Sequence, residues 1–233
     1  MNIKNSTAIV TGGSLGIGKA TAKLLIDNGA KVIITGRNKE RLELAASEIG
    51  AIACHIDITD YNNFKPTIKE LISKHGKIDI LINNAGIGAF GELGDLTIDQ
   101  FESVFNTNVF GLALFTQELL PHFKERKSGN IVNIASTAAL KGFAHGTVYS
   151  ASKFALRGMT QCWQAELRKH NIRVMLINPS EVTTAFANAE RKERAEVDNK
   201  LRSVEIAHSI KSALEMDDRG FIPELTVWAT NPF

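Results

Sequence analysis

Six short runs of β-branched and other apolar residues recur along the chain, separated by stretches of helical length, and this alternation narrows the possible folds more than any other feature. The runs fall at 7–10, 31–35, 52–55, 78–82, 130–135 and 173–177. Several of them ("VIIT", "IDILIN", "VMLIN") are apolar nearly throughout, as strands covered on both faces are. The stretches 18–28, 39–49, 64–74, 98–126 and 148–169 carry helical periodicity. Strands alternating with helices require right-handed βαβ units, and so a parallel sheet with helices on both sides. The expected fold class is α/β, a doubly wound sheet in three layers. No linker, repeat or low-complexity tract divides the 233 residues, so residues 1–233 are expected to form a single domain.

Composition removes several function classes. With 44% apolar and 22% charged residues the chain has an ordinary globular make-up. A net charge of +2 does not suggest nucleic acid or an anionic membrane as partner. The first strand-like run begins at residue 7, which leaves no room for a signal peptide, and no apolar run approaches the roughly 20 residues that span a bilayer. The expected location is the cytoplasm. Cys54 and Cys162 stand far apart, with no CxxC and no His/Cys cluster. No metal site is expected, and both read as buried free thiols of a reducing compartment.

The first strand runs into "IVTGGSLGIGKATAKLL", a glycine-rich turn that opens the first helix. That context suits a phosphate: Gly12 allows the sharp turn, Gly16 lets backbone approach a pyrophosphate, and Gly18 lets the helix pack closely. The free N–H groups of the helix start then face the anion. Ser14, Leu15 and Ile17 complete the turn. The spacing is TGxxxGxG rather than GxGxxG, and it points to a dinucleotide cradle of the Rossmann type. After the second strand the sequence reads "VIITGRNKERL", with Gly36 where a ribose-binding acid would stand and Arg37 next. A missing carboxylate and an available guanidinium favour NADP over NAD. Ser14 can add a hydroxyl, whereas Leu15 offers no second cation.

With these residues placed, the chain resembles a short-chain dehydrogenase/reductase over residues 5–222. Six motifs carry the resemblance in order: "TGGSLGIG" at 11–18, "NNAG" at 83–86, "FNTNVFG" at 105–111, "NIAST" at 133–137, "YSASK" at 149–153 and "INPS" at 177–180. The resemblance implies that Asp57 and Ile58 hold the adenine, and that Asn84, Ala85 and Gly86 line the cofactor pocket behind Asn83. Asn108 is implied to bend a long helix and to hold a water beside the lysine. Pro179, Val182 and Thr184, with Thr183 as the other candidate, are implied to meet the nicotinamide end. Ser180 stands where the family more often has glycine.

The chemistry implied is hydride transfer between a nicotinamide and a carbonyl or secondary alcohol. Tyr149 would exchange the proton, although a free phenol has a pKa of about 10. Lys153, one helical turn on, would lower that value and hold the nicotinamide ribose. Ser136 would bind the substrate oxygen, and Asn108 would complete the relay. Tyr149 and Lys153 thus belong to both the catalytic and the cofactor-binding sets. The expected activity is that of an NADP-dependent carbonyl reductase. The alternatives are an NAD-dependent alcohol dehydrogenase on the same frame, or a dinucleotide-sensing protein without turnover.

The pocket is expected between Ser136 and Tyr149 ("TAALKGFAHGTV"), at Phe90, and under the charged stretch 183–202, with Phe186 at its edge. The small and apolar lining suggests an uncharged or partly apolar carbonyl compound. His145, four residues before Tyr149, reads as structural or as a side chain that could touch substrate. The stretch 183–202 reads either as a solvated helix or as a mobile lid over the site. The tail "GFIPELTVWATNPF" reads as a short strand followed by Trp228 and Phe233 in packing or subunit contact. A homodimer or homotetramer is expected through the two long helical segments 98–126 and 148–169.

Overall fold

The computed structural model describes residues 1–186 and 191–232. Its strands are β1 (Thr7–Thr11), β2 (Lys31–Gly36), β3 (Ile52–His55), β4 (Ile80–Asn83), β5 (Gly129–Ile134), β6 (Ile172–Pro179) and β7 (Glu224–Val227). They form one sheet in the order β3-β2-β1-β4-β5-β6-β7, and every neighbouring pair is parallel. The winding direction reverses between β1 and β4. A sheet of this kind opens a crevice beyond the carboxyl ends of the strands at that reversal.

Burial follows from the sequence pattern. The central strands β1, β4, β5 and β6 are buried at every position, while β3 and β7 at the edges are half-buried or exposed. The helices are α1 (Gly16–Asp27), α2 (Lys39–Ile49), α3 (Phe64–His75), α4 (Ile98–Phe105), α5 (Leu112–Arg126), α6 (Thr147–Leu167) and α7 (Ser203–Glu215). On one face of the sheet α1 and α7 pack through Ala22, Leu25, Ile206 and Ile210. On the other, α3 and α5 pack through Phe64, Ile68, Phe115, Leu119 and Phe123. Fully buried rings such as Phe115 and Phe123 contribute about 1.5–3 kcal/mol each.

Three expectations need correction. The stretch 98–126 is not one helix: α4 and α5 are separated by a π-helical turn, Asn106–Gly111. At Gly111 the helix passes so close to the loop after β3 that a Cβ would lie 2.1 Å from the Ile58 carbonyl oxygen. The described part of 183–202 is not a helix. Val182 instead bridges to Leu201, and the Thr183 N–H donates to the Leu201 carbonyl at 2.8 Å. Residues 187–190 of the expected lid lie outside the described residues. The thiol of Cys54 is only partly covered and Cys162 is exposed, so the cysteines are not both buried. In the tail, the expected strand is β7, tied to β6 by the Asn178 amide donating to Glu224 at 2.8 Å. Trp228 is 64% exposed and packs little within the chain; Phe233 lies outside the described residues. Helix α7 has no counterpart among the expected elements.

Candidate active site

The site is assembled at the reversal between β1 and β4. Thr11 ends β1, and its hydroxyl accepts from the N–H groups of Asn84 and Ala85 at 3.0 and 3.1 Å. The Asn84 side chain donates back to the carbonyls of Thr11 and Gly12, both at 3.0 Å. This staple closes the turn against the end of β4. Gly12 sits at φ +64° and Gly16 at φ +52°, a region that side chains with a Cβ seldom enter. At Gly18 a Cβ would lie 2.4 Å from the Asn84 amide and 2.5 Å from the Gly12 oxygen.

Helix α1 therefore begins hard against the turn. Its N-cap, Leu15, has no capping side chain, and its first turn carries no acid. Its first N–H groups are left for an anion. One of them, that of Gly16, donates to the carboxylate of Glu193 at 2.8 Å. The neighbouring Arg194 donates to the carbonyls of Thr184 and Val182 at 3.1 and 2.9 Å. The charged stretch thus reaches back over the glycine turn. Thr184 lies there too: a Cβ on Gly16 would meet its methyl at 3.3 Å. The hydroxyl of Thr183 is engaged elsewhere, donating to the Leu201 carbonyl at 3.1 Å.

At the end of β2, Ser14 and Gly36 adjoin, with the serine oxygen 3.7 Å from where a Gly36 Cβ would stand. Arg37 follows. Burial lowers the pKa of Arg191, and the positive charges of Arg37 and Arg41 lower it further, so three guanidinium groups share this corner. The Nε of Arg41 is buried and has no hydrogen-bond partner. Among the described residues no ion pair engages any of the three. After β3, Asp57 accepts from both the N–H and the hydroxyl of Thr59 at 2.9 Å, so it holds a turn as well as facing the crevice end of the sheet.

Four side chains converge from different elements beyond β4 and β5. Ser136 caps the short turn after β5, and its oxygen accepts from the Ala138 N–H at 3.1 Å. Its hydroxyl also faces Tyr149, near the start of α6, closely enough to hold the phenol pKa down in part. Lys153, one turn along, is buried, and its ammonium donates to the Ile134 carbonyl at 2.9 Å. That ammonium lies 5.7 Å from the centre of the Tyr149 ring. Asn108 occupies the π-helical turn, a distortion often found at functional sites. Its amide oxygen accepts from the Ile87 N–H at 2.9 Å, and its amide nitrogen donates to the Ile87 carbonyl at 2.8 Å and to Ser152 at 3.0 Å. A Cβ on Gly86 would stand 3.3 Å from Asn108 and 3.8 Å from the Lys153 ammonium. The residues expected from the "NNAG", "FNTNVFG", "NIAST" and "YSASK" segments are therefore brought together.

The electrostatics differ from expectation. Burial pushes the Tyr149 phenol up to about 12, and the Ser136 hydrogen bond only partly opposes it. Burial also pulls Lys153 down to about 8. What lowers the Tyr149 phenol is Ser136 and not Lys153. The cost of removing both groups from water outweighs the attraction of an ammonium that points to the Ile134 carbonyl. At neutral pH Tyr149 is a protonated donor beside a charged lysine.

Ser152 was missed by the sequence reading. Its hydroxyl donates to the Tyr149 carbonyl at 2.7 Å and accepts from Asn108, linking the π-turn to α6. Its place one turn after Tyr149 was the available signal. Asn83 and Asn133 bond each other at 2.9 Å and reach Thr116 and Thr160; they join strands to helices. His145, at φ +65°, accepts from the Gly91 N–H through its carbonyl. Phe90 and Phe186 lie against Tyr149, with ring centres at 5.6 and 5.5 Å.

A family model described as short chain dehydrogenase matches residues 6–195 of this chain. The chain belongs to the short-chain dehydrogenase family. An uncharacterised oxidoreductase of Staphylococcus aureus is 34% identical over 233 residues, covering 97% of each chain. A metagenomic short-chain oxidoreductase, solved in complex with NADP, is 29% identical with a TM-score of 0.84, covering 97% of this chain and 98% of its own. A 3-ketoacyl-(acyl-carrier-protein) reductase from Brucella melitensis, complexed with NADH, is also 29% identical with a TM-score of 0.88, covering 99% of this dehydrogenase-family chain and 100% of its own.

Proposed function

We propose that this short-chain dehydrogenase is an NADP-dependent carbonyl reductase whose proton donor is Tyr149. The observation that carries the reading is the convergence of Ser136, Tyr149, Lys153 and Asn108 beside a turn built to hold a phosphate. The residues fit a nicotinamide dinucleotide: the Gly18 position has no room for a side chain, and Leu15 puts no capping side chain on the α1 N–H groups, of which that of Gly16 is taken by Glu193. Gly12, Leu15, Gly16, Ile17 and Gly18 would hold the pyrophosphate, and Asp57 and Ile58 the adenine. Asn84, Ala85, Gly86, Pro179, Val182 and Thr184 would hold the nicotinamide half. When bound, the dinucleotide supplies the hydride.

The chain's own residues supply the rest. Ser136 donates to the substrate oxygen and fixes it beside the Tyr149 hydroxyl. The phenol, kept protonated by burial, transfers its proton to that oxygen as negative charge develops on it. Lys153 stabilises the phenolate that is left and holds the nicotinamide ribose. Asn108, through its contacts with Ile87 and Ser152, keeps the end of β4 and the start of α6 at fixed separation, and returns protons by way of a water.

The preference for NADP rests on Arg37, Arg41 and Arg191, which share one corner with no ion pair among the described residues, and on the absence of an acid at Gly36. The NADP complex of the metagenomic relative supports it; the NADH complex of the Brucella reductase is the precedent for the alternative coenzyme. The test is a panel of ketones and aldehydes with each coenzyme, together with coenzyme affinities for wild type and Arg37→Ala. Loss of a charged hydrogen bond to phosphate should weaken NADPH by roughly 10- to 100-fold and leave NADH nearly unchanged. NADPH binding that survives Arg37→Ala contradicts the coenzyme assignment. Coenzyme binding without turnover across the panel would favour a sensor. The working oligomer is proposed to be a dimer or tetramer, which light scattering with chromatography measures directly.

A further inference from the structure

Three phenylalanine rings around Tyr149 are unused by the coenzyme and by proton transfer. Phe90 and Phe186 flank the tyrosine ring with centres at 5.6 and 5.5 Å and tilts of 54° and 58°. Phe143 continues the row, 6.2 Å from Phe90. Phe90 and Phe143 remain 43% and 52% exposed, so they meet water beside a tyrosine that is itself half-buried. Apolar rings left in water next to a polar reacting group are the usual lining of a small-molecule pocket.

The backbone is cut away to seat these rings. A Cβ on Gly88 would stand 2.7 Å from the Phe90 ring and 3.1 Å from that of Phe186; one on Gly146 would stand 2.7 Å from the Phe143 ring. The loops carrying Phe90 and Phe143 are joined by the Gly91 N–H donating to the His145 carbonyl at 3.0 Å. Phe186 is held by its own N–H donating to the Thr184 hydroxyl at 3.3 Å. The three rings come from three separate segments, each secured by local hydrogen bonding or packing.

We propose that Phe90, Phe143 and Phe186 form an aromatic wall that selects carbonyl compounds bearing an aromatic ring within a carbon or two of the carbonyl group. A carbonyl oxygen at Ser136 and Tyr149 places the neighbouring substituent against these rings. A flat aromatic substituent meets tilted faces and edges with matching quadrupoles, whereas a saturated one of equal size gains only area. This rests on the reading of Tyr149 as the proton donor.

The test compares phenylacetone with cyclohexylacetone, whose carbonyls are equally unconjugated, using NADPH and wild type, Phe90→Leu and Phe186→Leu. Coenzyme affinity, followed by NADPH fluorescence, reports that each variant is folded. Wild type should favour phenylacetone in kcat/KM by roughly 10-fold, from ring pairs worth about 2- to 10-fold each. Each leucine variant should bring the ratio towards one. An equal or greater rate for the saturated ketone, or a ratio unmoved in both variants, overturns the wall while leaving the reductase reading intact. If neither ketone is reduced although NADPH binds, both the wall and the reductase reading fall.

Discussion

The two sides of the crevice are built from different material. The coenzyme side is backbone and small residues: Gly12, Gly16 and Gly18, stapled to β4 by Asn84 and Thr11, with a Cβ-sized clash waiting at Gly18. The substrate side is large side chains on loops, with Phe90 and Phe143 about half in water. A site that must fit one invariant ligand tolerates no side chain where that ligand's backbone contacts lie. A site that sets specificity uses side chains, because those can differ between related proteins without altering the fold.

That contrast can be broken most forcefully at the junction of the two sides. Lys153→Met should remove the charge that supports the phenolate and lower kcat by roughly 10²- to 10³-fold, a charge effect of a few kcal/mol in a dry site. In the unaltered protein the same charge sets the pH profile. Lys153 is pulled down to about 8, so it is charged below that pH and neutral above it. Tyr149, pushed up to about 12, stays protonated throughout. The rate of reduction should therefore be flat up to about pH 8 and fall above it. A rate that rises through that range, measured under single turnover, is the opposite result.

Gly18→Ala probes the cradle alone. The added methyl meets the Asn84 amide and the Gly12 carbonyl. Overpacking of this kind costs about 1–3 kcal/mol, which predicts a lower Tm and coenzyme binding weakened by roughly 10-fold or more. The preference between two ketones should not change. If that ratio shifts as strongly as the coenzyme affinity, the two sides are not separable.

The smallest effect concerns Glu193, whose carboxylate takes the Gly16 N–H where a pyrophosphate would bind. An anion at a helix start is worth about 0.3–1 kcal/mol. Glu193→Gln should therefore tighten NADPH binding by roughly 2- to 5-fold, as read by isothermal calorimetry. Weaker binding in the variant means that the carboxylate helps the coenzyme rather than competing with it.

How much of this was legible beforehand follows the same division. The sheet and the glycine turn were readable because uniformly apolar runs leave a strand only one place to go, and because positive φ and close approach leave few residues but glycine. Ser136, Tyr149 and Lys153 were readable because they stand at strand ends and helix starts that those runs define. A bend at Asn108 was implied by the resemblance, but its π-helical form was not, since "FNTNVFG" has the periodicity of plain helix and the close approach of Gly111 to the Ile58 carbonyl arises only in the fold. Helix α7 was passed over because the charged stretch before it hid the apolar positions Ile206 and Ile210. The rise of the Tyr149 pKa was not legible because spacing along a helix says nothing of desolvation, the largest cause of the shift. Glu193 had no signal at all: a glutamate in a charged run is ordinary until the chain folds it onto α1.

The central claim is that Tyr149 gives up the proton in an NADPH-dependent reduction. Single-turnover reduction of phenylacetone by wild type and by Tyr149→Phe, each saturated with NADPH, tests it most directly. The phenylalanine variant keeps the ring and its contacts with Phe90 and Phe186 and loses only the hydroxyl. The account predicts unchanged coenzyme affinity and a rate lower by roughly 10²- to 10⁴-fold. A rate within a few-fold of wild type would contradict it.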